Sequence, residues 1–358
     1  MPHPRVNYRL SMTGADPLDL HLAHIRHLSC PASLAGLLSE RFNRTKKQAK
    51  ADAAEISPFL DQGIGFLNAA KQSDPAVAPV LLYYAYLNLA VAVVRAYRPT
   101  NWEQYKSHGA IDRTKALTRI SLSSKLAKVQ QGAIPLFHSV YSKAPLIQRD
   151  YSLRELVCSI PDLTAELGDV YSIKNQFLFV RGRIAPLEEE GVKLLRSEIT
   201  FEFLNQRVQR FPTQRLHKAI PFLKTDYYVH SKRSRMRVYR SDQSWTPGNR
   251  ERAQRRFDAD VFLASNYGSR DFFNNEVDHR WVVPPSEPLL PTLTGSMLLL
   301  FSLSSLSRYR ANVLRRVESS KLNLLMEVFR AEVDAIMLPA LRNLLYCESV
   351  MIERSGKQ

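Results

Sequence analysis

The longest apolar pattern runs from Ala76 to Val94, without a charge and with apolar residues on every helical face. A helix with no polar stripe has to be enclosed. Asp74 is placed to accept first-turn N–H groups, Pro75 suits the first helical position and Pro99 stops the run, which predicts one buried central helix over about 75–98. Arg95 and Arg98 fall at its negative end, where cations are favoured. A bilayer span needs about 20 apolar residues, so the run is near that length. Asn88 at its middle, the inner cluster of Tyr83, Tyr84 and Tyr86, and Pro79 in the first turns all speak for a core helix and no membrane span.

Other segments are read the same way. DPLDLHLAHIRHLSCP, from Asp16, has the form of a helix with Pro17 at its first position, although alternation at Leu18, Leu20 and Leu22 also permits a short strand. Residues 1–15 read as irregular. Helices are expected over 33–50, with a basic face of Arg41, Arg44, Lys46, Lys47 and Lys50, and over 53–73. Gly63 and Gly65 lack the strand and glycine pattern of a phosphate loop and are read as points where this helix approaches the central one. Ser152 with Glu155 forms a capping box, and Pro161 separates two short helices.

Past Gln176 the period changes. Ile199, Phe201 and Phe203 alternate with polar residues as in a half-buried strand, with 177–184 as partner and Glu188, Glu189, Glu190 and Gly191 in the connection. That carboxylate run is read as a solvated turn. Residues 272–283 read as extended, Pro284, Pro285, Pro288 and Pro291 form a stiff connector, and helices follow over 292–317 and 322–345, the last kinked at Pro339. The expected fold is α+β and predominantly helical: a helical part over 1–172, a β-rich basic insert over 173–285 carrying a small antiparallel sheet, and C-terminal helices over 286–358 that pack back on the first part.

Composition adds one strong fact. The 358 residues are globular in balance, 45% hydrophobic and 23% charged, yet carry a net charge of +16. Such a field draws nucleic acid, an acidic protein partner or anionic lipid. No amphipathic helix combines a clearly basic polar face with a bulky apolar opposite face, as a lipid surface would need, which ranks that reading last. The charge concentrates in 224–257, where ten basic residues face three acidic ones. If 227–230 and 235–240 pair as a hairpin, Lys232 and Arg233 lie at its tip, Met236 and Val238 face inward, and Arg235, Arg237 and Tyr239 line the outer face. Together with Arg240, Arg250, Arg252, Arg255 and Arg256 these form the expected nucleic-acid-binding surface, RNA or DNA; a charged hairpin that protects an exposed edge is the competing reading.

Candidate chemistry is sparse. His21, His24, His27 and Cys30 are spaced by three, a weak metal candidate, since four such positions wind around half the helix and cannot share one ion. Arg210 and His217 match the arginine-to-histidine spacing of a HEPN-like, metal-independent ribonuclease, although Pro212 disfavours a helix through both. His108 before Gly109 marks a turn whose side chain could enter a cleft. No nucleophile elbow, Walker loop, paired CxxC or His-Glu-x-x-His run occurs, and no cofactor is implied. Cys30, Cys158 and Cys347 read as reduced thiols, and MPHPRVNYRL has no apolar signal run, both expected of a cytoplasmic protein. The expected function is a non-enzymatic binding or scaffold protein acting within a complex, with the ribonuclease as alternative.

Four separated segments, LLYYAYLNLA at 81–90, SHG at 107–109, SLRELVCSIPDL at 152–163 and FSLSSLSRYR at 301–310, resemble the YaaC-like proteins of bacteria, in the same order over roughly 55–347. The resemblance implies a cytosolic, mostly helical bacterial protein; the binding or scaffold protein expected from the charge is then a subunit of a bacterial assembly, such as an antiphage defence system. It carries no reaction and no catalytic residue. It directs attention to His108, Arg308 and Tyr309, polar residues inside the family-like segments.

Overall fold

The computed structural model describes residues 5–12, 17–98, 102–142, 145–173, 178–189, 191–203, 213–219, 222–233, 236–249, 252–253, 278–282 and 290–354. The chain opens with β1 (Arg5–Met12), α1 (Pro17–Ser29), α2 (Pro31–Arg41), α3 (Lys46–Gln72), α4 (Ala78–Tyr97) and α5 (Trp102–Tyr105). There follow β2 (His108–Asp112), β3 (Lys125–Gly132), α6 (Ala133–Tyr141), β4 (Asp150–Ser152), α7 (Leu153–Val157) and α8 (Thr164–Tyr171). The middle holds β5 (Leu178–Glu189), β6 (Val192–Phe203), α9 (Thr213–Ala219), α10 (Phe222–Thr225), β7 (Tyr227–Arg233), β8 (Met236–Trp245) and β9 (Asp278–Val282). The C-terminal part is α11 (Thr292–Tyr309), α12 (Ala311–Glu318), α13 (Leu322–Tyr346) and β10 (Glu348–Arg354).

The chain divides into two compact units, residues 1–3, 18–173 and 290–347 in the first, and 4–17, 174–289 and 348–358 in the second. In the first unit α4 packs against α3, α6, α11 and α13, with Tyr83, Tyr86, Leu89 and Val93 fully buried. By length and composition α4 alone among the described helices could cross a membrane; here it is the middle of a helical core. It begins later than its sequence signals imply. Asp74 Oδ1 accepts the N–H of Ala76 at 2.8 Å, so residues 75–77 make a turn and the helix starts at Ala78.

The break between the preceding helices also lies elsewhere, at 42–45 instead of 51–52. Asn43 adopts a left-handed φ of 52°, and Thr45 opens α3 through a capping box with Gln48, satisfying first-turn N–H groups that a continuous helix would not leave free. Arg44, displaced from the expected basic face, pairs with Asp52 and donates to the carbonyls of Arg95 and Ala96 at 2.9 and 2.8 Å. It thereby satisfies the end of α4 that has no helical partners of its own.

Only one of the two α3 glycines lies at the close approach. A Cβ on Gly63 would stand 2.8 Å from the Leu89 side chain and 3.1 Å from the Ala85 carbonyl, whereas nothing lies within 4 Å of a Cβ on Gly65. Gly63→Ala is therefore expected to destabilise by about 1–3 kcal/mol through overpacking, while Gly65→Ala stabilises by up to about 1 kcal/mol through helix propensity. Urea unfolding of the two variants checks the opposite signs.

At the C-terminal end, α11 is buried from Thr292 to Leu306. The single helix expected over 292–317 is broken at Arg310, whose ψ of 46° ends α11 and starts α12. Tyr86 Oη donates to Asp334 and Tyr97 Oη to the Leu344 carbonyl, tying α4 to α13, which continues through Pro339. The β2–β3–β4 sheet is antiparallel and was not anticipated from the sequence pattern.

The second unit holds an antiparallel sheet of order β7–β8–β6–β5–β9 and a parallel pair, β1 with β10. Strand β1 corrects the reading of residues 1–15 as irregular. Val6, Tyr8, Leu10 and Met12 do alternate, but the partner strand begins at Glu348, far along the chain. Pairing of β5 with β6 is continuous from Leu178↔Phe203 to Glu189↔Val192, so Glu188 and Glu189 belong to the strand and not to the connection; Glu190 lies outside the described residues. Glu189 is held by Arg196 at 3.0 Å.

Candidate functional site

The hairpin of β7 and β8 forms as expected, but its faces are reversed. Strand β8 is interior, flanked by β6 as well as β7, and Tyr239 lies opposite Ile199 and Val229. Because the side-chain period is two, Arg237, Tyr239 and Ser241 join the inner face together. Tyr239 is 0% exposed, edge-on to Phe201, with its Oη 3.5 Å from His217 Nε2; Arg237 is 4% exposed. Neither can stack on a base or contact a phosphate. Arg240 is spent on Glu198, at 3.0 Å through Nε. Lys232 and Arg233 close β7, Arg252 is exposed, and Arg235, Arg250, Arg255 and Arg256 lie outside the described residues.

The other candidates disperse as well. His21 is 2% exposed, its pKa pushed down to about 3 by burial and by Arg342 and His24. His24 accepts from Arg342 Nε at 3.2 Å, while His27 and Cys30 are exposed. No group of three or more metal-ligating side chains occurs among the described residues. His217 stands on α9, which starts at Thr213, and Arg210 lies outside the described residues.

Two features of the first unit had no counterpart in the expected surface. The first is a cleft of about 1270 Å³ bounded by the 119–125 segment, the start of α7, the end of α8 and the α12–α13 connection. Its lining includes five cations, Arg119, Lys125, Arg154, Arg316 and Lys321, together with Tyr171 and five serines, and no carboxylate. These residues come together because α12 is clamped onto the loop after β2. Arg310 donates to the carbonyls of Lys115 and Leu117, each at 2.8 Å, and Arg316 donates to Thr118 at 2.8 Å. Across the cleft, Ser152 caps α7 with Glu155, and the backbone N–H of Arg154 reaches the Leu122 carbonyl at 2.8 Å. Glu155 sits beside this wall. Burial raises its pKa, but hydrogen bonds from Ser152 and Arg149 outweigh that and bring it down to about 2. Lys125 reaches Glu155 at 3.4 Å; the side chains of Arg119, Arg154 and Lys321 meet no acceptor among the described residues.

The second feature is a polar cluster where α4, β2 and α11 meet. Tyr83 Oη lies 2.8 Å from His108 Nδ1, and the His108 ring packs on Tyr84 and Phe301. Arg308 donates through Nη1 to Tyr84 Oη at 3.0 Å and through Nε to the Ser304 carbonyl at 3.3 Å. Its guanidinium lies 4.9 Å from the ring centre of Tyr309, which is 65% exposed. Burial and the charge of Arg308 both lower the pKa of His108 below its ordinary value. The YaaC-like Protein family matches residues 32–330, most of the chain. The chain belongs to the YaaC-like family. No curated protein and no solved structure matches it. Three of the four segments that resemble other YaaC-like proteins, at 81–90, 107–109 and 301–310, supply every member of the His108 cluster. The fourth, at 152–163, supplies Ser152 and Arg154 to the cleft. The YaaC-like signatures, separate along the chain, thus belong to two neighbourhoods of one unit.

Proposed function

We propose that this protein binds nucleic acid along the basic cleft of its first unit. The observation that carries the reading is the lining itself, five cations, a tyrosine and serine hydroxyls, with no carboxylate. A positively charged groove that follows a phosphate backbone, with an aromatic face on which a base can stack, is the design of single-strand binders. A cleft of about 1270 Å³ exceeds the roughly 300–1,000 Å³ typical of small-ligand pockets. Its cations stand on separate walls, which suits successive phosphates better than one compact anion.

The test is fluorescence anisotropy with a labelled single-stranded RNA over a range of salt concentrations. Neutralising about five phosphates on a single strand gives a slope of log affinity against log salt near −3.5, since each contact releases about 0.7 of a counterion. Affinity that stays constant between low and high salt removes the proposal.

A further inference from the structure

We propose that His108 and Arg308 form a catalytic site that cleaves RNA, without a metal, by attack of the RNA's own 2′-hydroxyl on the adjacent phosphate. The inference rests on the nucleic-acid reading of the cleft and adds a reaction to it. A site of this kind needs a proton-transfer group, something to orient it, and a fixed positive charge where the phosphate gains negative charge.

His108 meets the first two requirements. Tyr83 Oη fixes the ring through Nδ1 at 2.8 Å, the residue is half-buried, and Nε2 has no hydrogen-bond partner among the described residues. A phenol can both donate and accept, so the same contact supports either tautomer. With the proton on Nδ1, Nε2 is a base. Arg308 meets the third. It is exposed, its hydrogen bonds go to Tyr84 and Ser304, and no carboxylate among the described residues neutralises it. Tyr309 beside it offers an exposed ring to a base. Among the described residues, the titratable and charged groups around His108 are Tyr83 and Tyr84 from α4 and Arg308 from α11. The cluster and the cleft also lie on successive elements. Arg308 lies in the last turn of α11 and Arg316 in the last turn of α12, the helix that follows it.

The step balances with no co-reactant. The 2′-oxygen forms a bond to phosphorus as its proton passes to His108 Nε2, and Arg308 stabilises the charge on the non-bridging oxygens. The phosphorus–O5′ bond then breaks, and the imidazolium returns its proton to the departing 5′-oxygen. The products are a 2′,3′-cyclic phosphate and a 5′-hydroxyl.

The full chain is incubated in EDTA with labelled single-stranded RNA, with the same sequence as DNA, and with RNA carrying one 2′-deoxy position. RNA binding is measured on the same samples. The expected result is cleavage of RNA to cyclic-phosphate ends, none of DNA, and protection at the 2′-deoxy position. His108→Ala and His108→Gln should each slow cleavage about 100-fold or more with binding kept, and the glutamine variant, whose amide can still meet Tyr83 Oη, should also keep the melting temperature. Arg308→Gln should slow it by about 100-fold. It should also move the acid limb of the pH–rate profile upward, toward the ordinary histidine value, because the charge that depresses His108 is gone. RNA that is bound but stays intact overturns this inference and leaves the cleft reading standing, as does cleavage that both His108 variants retain. RNA that is neither bound nor cut overturns both.

Discussion

Replacing Arg119, Arg154 and Lys321 together by glutamate should weaken RNA binding severely and flatten its salt dependence while leaving the fold intact. The three side chains are exposed and meet no acceptor among the described residues, so their loss removes no internal bond. Exposed substitutions of this kind change stability by about 0.5 kcal/mol or less. Lys321 even stands at the start of α13, where the helix dipole favours an anion over a cation. The effect on binding is large because three attractive groups become three repulsive ones. With two of the five lining cations left, Lys125 and Arg316, the salt slope should fall to about −1.4. The residual affinity should drop below the micromolar range of ordinary non-specific contacts. The control reverses Lys224 and Arg252, exposed cations of the segment that is richest in charge, and should bind as the parent does. Wild-type binding by the triple variant, or its loss in the control, would move the interface away from the cleft.

Gly132→Ala should cost about 3 kcal/mol or more. Gly132 has φ 147° and ψ −161°, a conformation accessible essentially to glycine alone, and forcing a side chain into it costs about 1–3 kcal/mol. A Cβ there would also stand 2.5 Å from both Gly109 N and Ser107 O. These are backbone atoms at the start of β2 and just before it, held by the Ala133 N–H to Ser107 carbonyl bond at 2.9 Å, and they cannot rotate aside. Gly168→Ala is the contrasting case, in helix α8 with nothing within 4 Å of the added carbon, and should stabilise by up to about 1 kcal/mol. Denaturant unfolding of both variants decides; a Gly132→Ala protein as stable as the parent would overturn the close approach of Gly132 to Gly109 as the reason for a glycine here. Because Gly132 is the register partner of His108, the same variant should also disturb the His108 cluster.

The legible parts of the fold were those encoded locally. The charge-free run of α4, the capping box at Ser152 and Glu155, and the alternation through Ile199, Phe201 and Phe203 each produced the expected element. Elements whose signal needed a distant partner were missed. The strand at Arg5–Met12 needs Glu348–Arg354, and the short β2–β3–β4 strands need one another. The basic hairpin failed at a finer level. Its strands were readable, but which face is buried depends on β6 lying beside β8, and a shift of one residue exchanges every side chain between faces.

The candidate site divides in the same way. Sequence pointed to His108, Arg308 and Tyr309 through their segments, yet could not join a residue on β2 to one at the end of α11. Charge counting led to the 224–257 region, because a count along the chain does not record which cations are buried, as Arg237 is, or already paired, as Arg240 is. The cleft's five cations are scattered from Arg119 to Lys321 and have no linear density at all. By itself, then, the sequence determined the helical body, the central helix, the antiparallel insert and the excess of positive charge, since helix period, caps and composition act over a few residues. Only the tertiary structure decided which charges meet solvent, which tyrosine orients His108, and that the α12 arginines close one wall of the cleft, because those facts depend on packing between segments as many as two hundred residues apart.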